Sequence, residues 1–188
     1  MNALPLAIRI SLTIVVITAA GFDLRYRRIP NWLNLSGLLL GVGLNAVFFS
    51  WHGTVAATEG LLLATAVYLP LYLLRGMGAG DVKLMAAVGA LVGPEHWLEI
   101  LIGTAFGGAA AAVIYAWLKG RLSETACNLY FLVKDLIQLR APHKTNPELD
   151  FRNPASLSMP HGVVIATASI GFIVLNLFTT NLLQNLIR

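Results

Sequence analysis

Nine carboxylates are available for chemistry in this chain of 188 residues, and two of them stand apart. Glu124, Asp135, Glu148 and Asp150 fall in a polar segment and read as solvated surface charges. Glu59, Glu95 and Glu99 fall at the polar edges of apolar runs. Asp23 closes the first apolar run, and Asp81 sits between the third and the fourth. An ionisable group at such a boundary is a functional candidate when it faces the protein interior. For either aspartate alone, a helix cap or an ion pair with a nearby Arg or Lys is the simpler reading. The glycines Gly76, Gly78 and Gly80 shift that balance for Asp81, because they let a second backbone approach the carboxylate closely. Two carboxylates meeting at one water can hydrolyse a peptide. One of such a pair keeps its proton because like charges repel in a low dielectric. The ionised member takes a proton from the water, and the protonated member donates to the carbonyl oxygen.

Other chemistries lack their residues. There is no GxxxxGK[ST] phosphate loop and no HExxH zinc motif, and His52, His96, His143 and His161 do not cluster by spacing. No GxSxG nucleophile elbow occurs. The single cysteine, Cys127, excludes an intrachain disulfide and a multi-cysteine zinc site. No metal or cofactor is expected.

The elements that must carry the two aspartates are apolar. Hydrophobic residues make up 57% of the chain and charged ones 12%, about half the usual charged share. Apolar runs at about 4–22, 32–49, 59–74, 84–92, 97–118 and 160–183 alternate with short polar segments, the pattern of a multi-spanning helical membrane protein. The expected fold is all-α: one membrane-embedded domain over residues 1–188, with about six transmembrane helices. The run at 84–92 is short for a crossing. The charges nonetheless favour counting it, because eleven of the thirteen Lys and Arg fall in three segments, at 25–28, 75–83 and 119–152. Six crossings place all three on one side, as the positive-inside rule requires, with both termini outside. The net charge of +4 is thereby explained without nucleic acid. Asp23 and Asp81 then share the cytoplasmic side. A cleavable signal peptide ending near Gly21 is rejected, because it would cut beside Asp23. Trp32, Trp51, Trp97 and Trp117 fall at span ends, where interfacial aromatics belong. Within 119–158, an amphipathic helix at 123–140 on the cytoplasmic membrane face precedes a loop at 141–158. A docking surface for substrate is the alternative role for that helix.

Three motifs carry a resemblance. Gly78, Ala79, Gly80 and Asp81 match the GxGD signature of membrane aspartyl proteases, and the longer string GMGAGDVKL at 76–84 resembles that of type IV prepilin peptidases and the related preflagellin peptidases. The segment DLRYRRIPN at 23–31 is similar to that family's D-x-R-x-x-x-I-P-N motif, which carries the other catalytic aspartate. Pro160, His161 and Gly162 resemble the P-x-G opening of its last helix, with His161 where an aromatic is more usual. The resemblance implies an aspartic endopeptidase of the bacterial inner membrane, with Asp23 and Asp81 catalytic. It also implies that Gly78, Gly80, Lys83, Pro160 and Gly162 serve the motifs or substrate. The simplest role for Lys83 is snorkelling to headgroups. The implied partners are membrane lipid and a prepilin or pseudopilin substrate, cut after a glycine that follows a short basic leader. Only a short loop follows the first span, and no paired CxxC motifs occur, which resembles the minimal form found with Flp-type, tight-adherence pili and lacking the methyltransferase insert. Two rivals stay open: a non-enzymatic pilus-assembly subunit, and a small ion-coupled transporter using the same two aspartates.

Overall fold

A computed structural model describes residues 4–75, 77–120, Ser123, Cys127 and 161–186 of the chain. The expected amphipathic helix at 123–140 (apart from Ser123 and Cys127), the loop at 141–158, Gly76 and Pro160 lie outside these residues. The described residues are helical and include no strand: α1 is Leu6–Tyr26, α2 Asn31–Leu73, α3 Ala79–Leu118 and α4 His161–Leu186. All four are long and apolar enough to cross a membrane. The count is thus four helical runs, where the apolar pattern predicts about six spans.

Two of the four are broken by a single residue. α2 has 43 residues and α3 has 40; straight helices of that length would run about 60–65 Å, twice the ~30 Å hydrocarbon core. α2 is interrupted at Ser50, with φ 53° and ψ −134°. α3 is interrupted at Gly93, with φ 76° and ψ 174°, a region essentially restricted to glycine.

The contacts reverse at Ser50. Before it, Asn34 meets Gly80 and Asn45 meets Ala90 and Leu91, so α2 and α3 run the same way. After it, Ala56 lies beside Gly93 and Gly60 beside Gly89, so they run oppositely. The turn is tighter than the polar pattern predicts. The segment 50–58, expected as a connecting stretch, is helical from Trp51. Thr54 and Thr58 return their hydroxyls to the carbonyls four residues back, so no polar loop is needed to satisfy them. After Gly93, α3 turns back along α4: the rings of His96 and Phe172 are 5.2 Å apart, and Gly103 faces Ala168.

The break at Gly93 has a dedicated partner. Pro94 lacks the N–H that would bond the Ala90 carbonyl. Asn45 supplies the donor instead, its Nδ2 lying 3.1 Å from Ala90 O and 3.0 Å from Leu91 O. Close approach makes this possible. A Cβ on Gly41 would come within 2.6 Å of the Ala90 carbonyl carbon, and one on Gly60 would strike the Gly89 backbone. Small residues at such spacing let membrane helices touch backbone to backbone.

α3 before its break is the centre of the molecule. Every residue from Leu84 to Gly93 is buried, as a helix apolar on all sides must be. The short run at 84–92 is therefore wrapped by protein, and its length need not match the lipid. Trp97 departs from the expected interfacial belt. It is fully buried, edge-on to Tyr68 at 6.1 Å, whereas Trp32, Trp51 and Trp117 are exposed.

Candidate active site

The two aspartates lie in helices rather than loops. α1 continues through Asp23 to Tyr26 and closes on Arg27 in the left-handed conformation, whose N–H bonds the Asp23 carbonyl at 3.0 Å. Asp23 therefore occupies the last turn of α1, where it closes the first apolar run. Ile29 and Pro30 then extend the chain, because the residue before a proline avoids the helical region, and α2 begins at Asn31. Asp81 occupies the first turn of α3, after the N-cap Gly78.

Both carboxylates are buried although both belong to the polar ends of helices: Asp23 is 8% exposed and Asp81 7%. The Gly162 N–H donates to Asp23 Oδ2 at 2.8 Å. That donor is one of the N–H groups a helix leaves unpaired at its start, so α4 opens directly onto Asp23. A Cβ on Gly162 would come within 3.0 Å of both Cβ and Oδ2 of Asp23, which explains a glycine there. The Asp81 N–H itself bonds the Gly78 carbonyl at 3.2 Å, which ties the aspartate to the start of α3. Asp23 and His161 lie near enough to Asp81 for their charges to act on it, and Asp81 acts in turn on Tyr68. The structure thus brings Asp23, Asp81, Gly162 and His161 to one end of the bundle, from α1, α3 and α4.

The other expected site residues divide. Gly80 packs against Ile29, where a Cβ would meet the Ile29 Cβ at 3.3 Å, so its small size holds the two motifs together. Gly78 has φ −78° and ψ 149°, open to any residue. The left-handed residue of this turn is Arg75, φ 60°. Neither Gly78 nor Gly80 has a positive φ. Lys83 is exposed and gives its Nζ to Asn31 Oδ1 at 2.8 Å, clamping α3 to the start of α2. Pro160 lies outside the described residues.

Two residues beside the site went unremarked in the sequence. Asn34, 4% exposed, donates from Nδ2 to the Gly80 carbonyl at 3.3 Å, while its Oδ1 is buried without a partner among the described residues. Tyr68 is buried in the field of Asp81. Asn34 had a signal, an amide inside an apolar run three residues after Asn31; Tyr68 had none. No group of three or more metal-ligating side chains gathers among the described residues.

The model of the type IV leader peptidase family matches residues 10–113, which hold both aspartates. The prepilin leader peptidase/N-methyltransferase of Legionella pneumophila is 34% identical over 118 residues, covering 60% of this chain and 41% of that one. That of Escherichia coli is 33% identical over 116 residues, covering 58% of this chain and 52% of that one. That of Bacillus subtilis is 30% identical over 132 residues, covering 66% and 49%. The chain thus spans about half the length of these curated relatives, or less. No solved structure matches it significantly.

Proposed function

Because the chain belongs to the type IV leader peptidase family, we propose that it is an aspartic endopeptidase that removes the basic leader of a prepilin-like protein, with Asp23 and Asp81 as its catalytic pair. The observation that carries this reading is the burial of two carboxylates from separate helices within reach of each other's charge. In this mechanism a water sits between them. The ionised carboxylate removes a proton as the water oxygen attacks the scissile carbonyl carbon. The protonated one donates to the carbonyl oxygen, and the tetrahedral intermediate then collapses with cleavage of the C–N bond and protonation of the departing amine. The Gly162 N–H fixes how Asp23 faces that water.

The placement in the membrane is part of the same reading. The breaks at Ser50 and Gly93 are turns on the outer side, giving six crossings of the bacterial inner membrane with both ends outside. The dyad then lies at the cytoplasmic boundary, where the leader of an inserted prepilin arrives. Co-expression with a prepilin tests this directly. The unaltered chain shortens the pilin by its leader, and Asp23→Asn and Asp81→Asn each leave it full-length while remaining in the membrane fraction. Continued leader removal by either variant would overturn the reading.

A further inference from the structure

At the end of α1 remote from the aspartates, an arginine stands without a carboxylate. Arg9 is about 21 Å along the helix from Asp23, in the first turn of α1. No carboxylate among the described residues pairs with it, and its Nε is buried without a hydrogen-bond partner. Thr13, the polar neighbour one turn on, spends its hydroxyl on the Arg9 carbonyl at 2.8 Å. A cation so placed in an apolar helix is costly unless a negative group reaches it.

Beside Arg9 runs a groove of about 270 Å³ between α1 and α4. Leu6, Ile10 and Ile14, spaced four apart, form one wall; Ile173 and Leu177 form the other. The α1 wall is open to the surroundings, each of its three residues being at least 50% exposed. The groove is thus an apolar channel with the Arg9 guanidinium at its end, where no carboxylate among the described residues pairs with it.

We propose that this groove is a binding site for one anionic phospholipid. The Arg9 guanidinium takes the headgroup phosphate, and an acyl chain lies along Ile10, Ile14, Ile173 and Leu177. A guanidinium matches a phosphate in a paired, planar geometry that an ammonium cannot reproduce. The acyl chain accounts for the apolar walls, which a free phosphate would not need. Its charged end is about 21 Å along α1 from Asp23.

Native mass spectrometry of the full chain, titrated with phosphatidylglycerol or phosphatidylcholine, tests the assignment. Retention of one phosphatidylglycerol is expected to fall about tenfold in Arg9→Gln, the loss of roughly one charge-assisted contact. It falls less in Arg9→Lys and is unchanged in Arg28→Gln, which removes a cation from the other end. Ile14→Trp, which fills the groove and leaves Arg9 in place, also lowers retention, so the outcome does not hang on how well Arg9→Gln folds. Equal retention by wild type, Arg9→Gln and Ile14→Trp would overturn the proposal. So would equal retention of the two lipids by the wild type, displacement of the lipid by glycerol phosphate alone, or a dimer that Arg9→Gln dissolves.

Discussion

At the scale of single residues, the arrangement around Asp23 depends on one missing methyl group. The Gly162 N–H reaches Oδ2 because nothing stands between α4 and the carboxylate. Gly162→Ala pushes the two apart and misdirects the carboxylate. Leader cleavage is expected to slow about 10- to 100-fold, the worth of one hydrogen bond to a charged group, with the melting temperature in detergent moved by only a few degrees. Lys83 gives the opposite expectation. It is exposed and held on Asn31, and such contacts are worth up to about 1 kcal/mol. Lys83→Met should therefore change the cleavage rate less than about fivefold. The ends of the apolar runs mark Asp23 and Asp81 as candidates, and both lie in the end turns of helices. What Gly162 touches is not legible in the sequence, because a contact across 139 positions leaves no local pattern. Neither is the clamp between Lys83 and Asn31.

Among the elements, the broken helix α3 is the part most exposed to disruption. Gly93 adopts a backbone that other residues reach only under strain, and Pro94 leaves a carbonyl without its donor. Asn45 fills that gap from α2. Gly93→Ala should destabilise by about 1–3 kcal/mol, and Asn45→Ala by a similar amount through its unpaired carbonyls. Unfolding in detergent by denaturant or heat measures both. Because the two residues serve one turn, the double variant should lose less than the sum. The Gly93–Pro94 break was visible in the sequence as a break in the apolar run. The turn at Ser50 is tighter than the gap between the apolar runs at 32–49 and 59–74, because its threonines satisfy themselves within a helix. The burial of Leu84–Val92 was hidden for a different reason. An apolar run reads the same against lipid as against protein, so its short length looked like a poor crossing when it marks the core.

For the whole molecule, Arg25, Arg75 and Lys83 stand at or beside the helix ends that carry Asp23 and Asp81, so on the proposed reading orientation decides where substrate can be cut. The chain's single cysteine offers a direct check. Cys127 is exposed and follows the basic end of α3. If that end is cytoplasmic, a membrane-impermeant maleimide leaves Cys127 unlabelled in intact cells and labels it once the inner membrane is opened. Labelling in intact cells would invert the topology. The all-helical architecture was legible from composition and run length alone. The folding back of α2 and α3 on themselves depended on glycines meeting backbone across the bundle, a pairing that one sequence does not spell out.

The most direct measurement is the single-turnover cleavage rate of a purified prepilin by the purified chain, compared among wild type, Asp23→Asn, Asp81→Asn and the double variant. Two carboxylates acting on one water are expected to fail together: each single change should cost at least about 100-fold, and the double change little more than either. Near-normal cleavage by either single variant, or losses that simply multiply in the double, would contradict a shared catalytic pair.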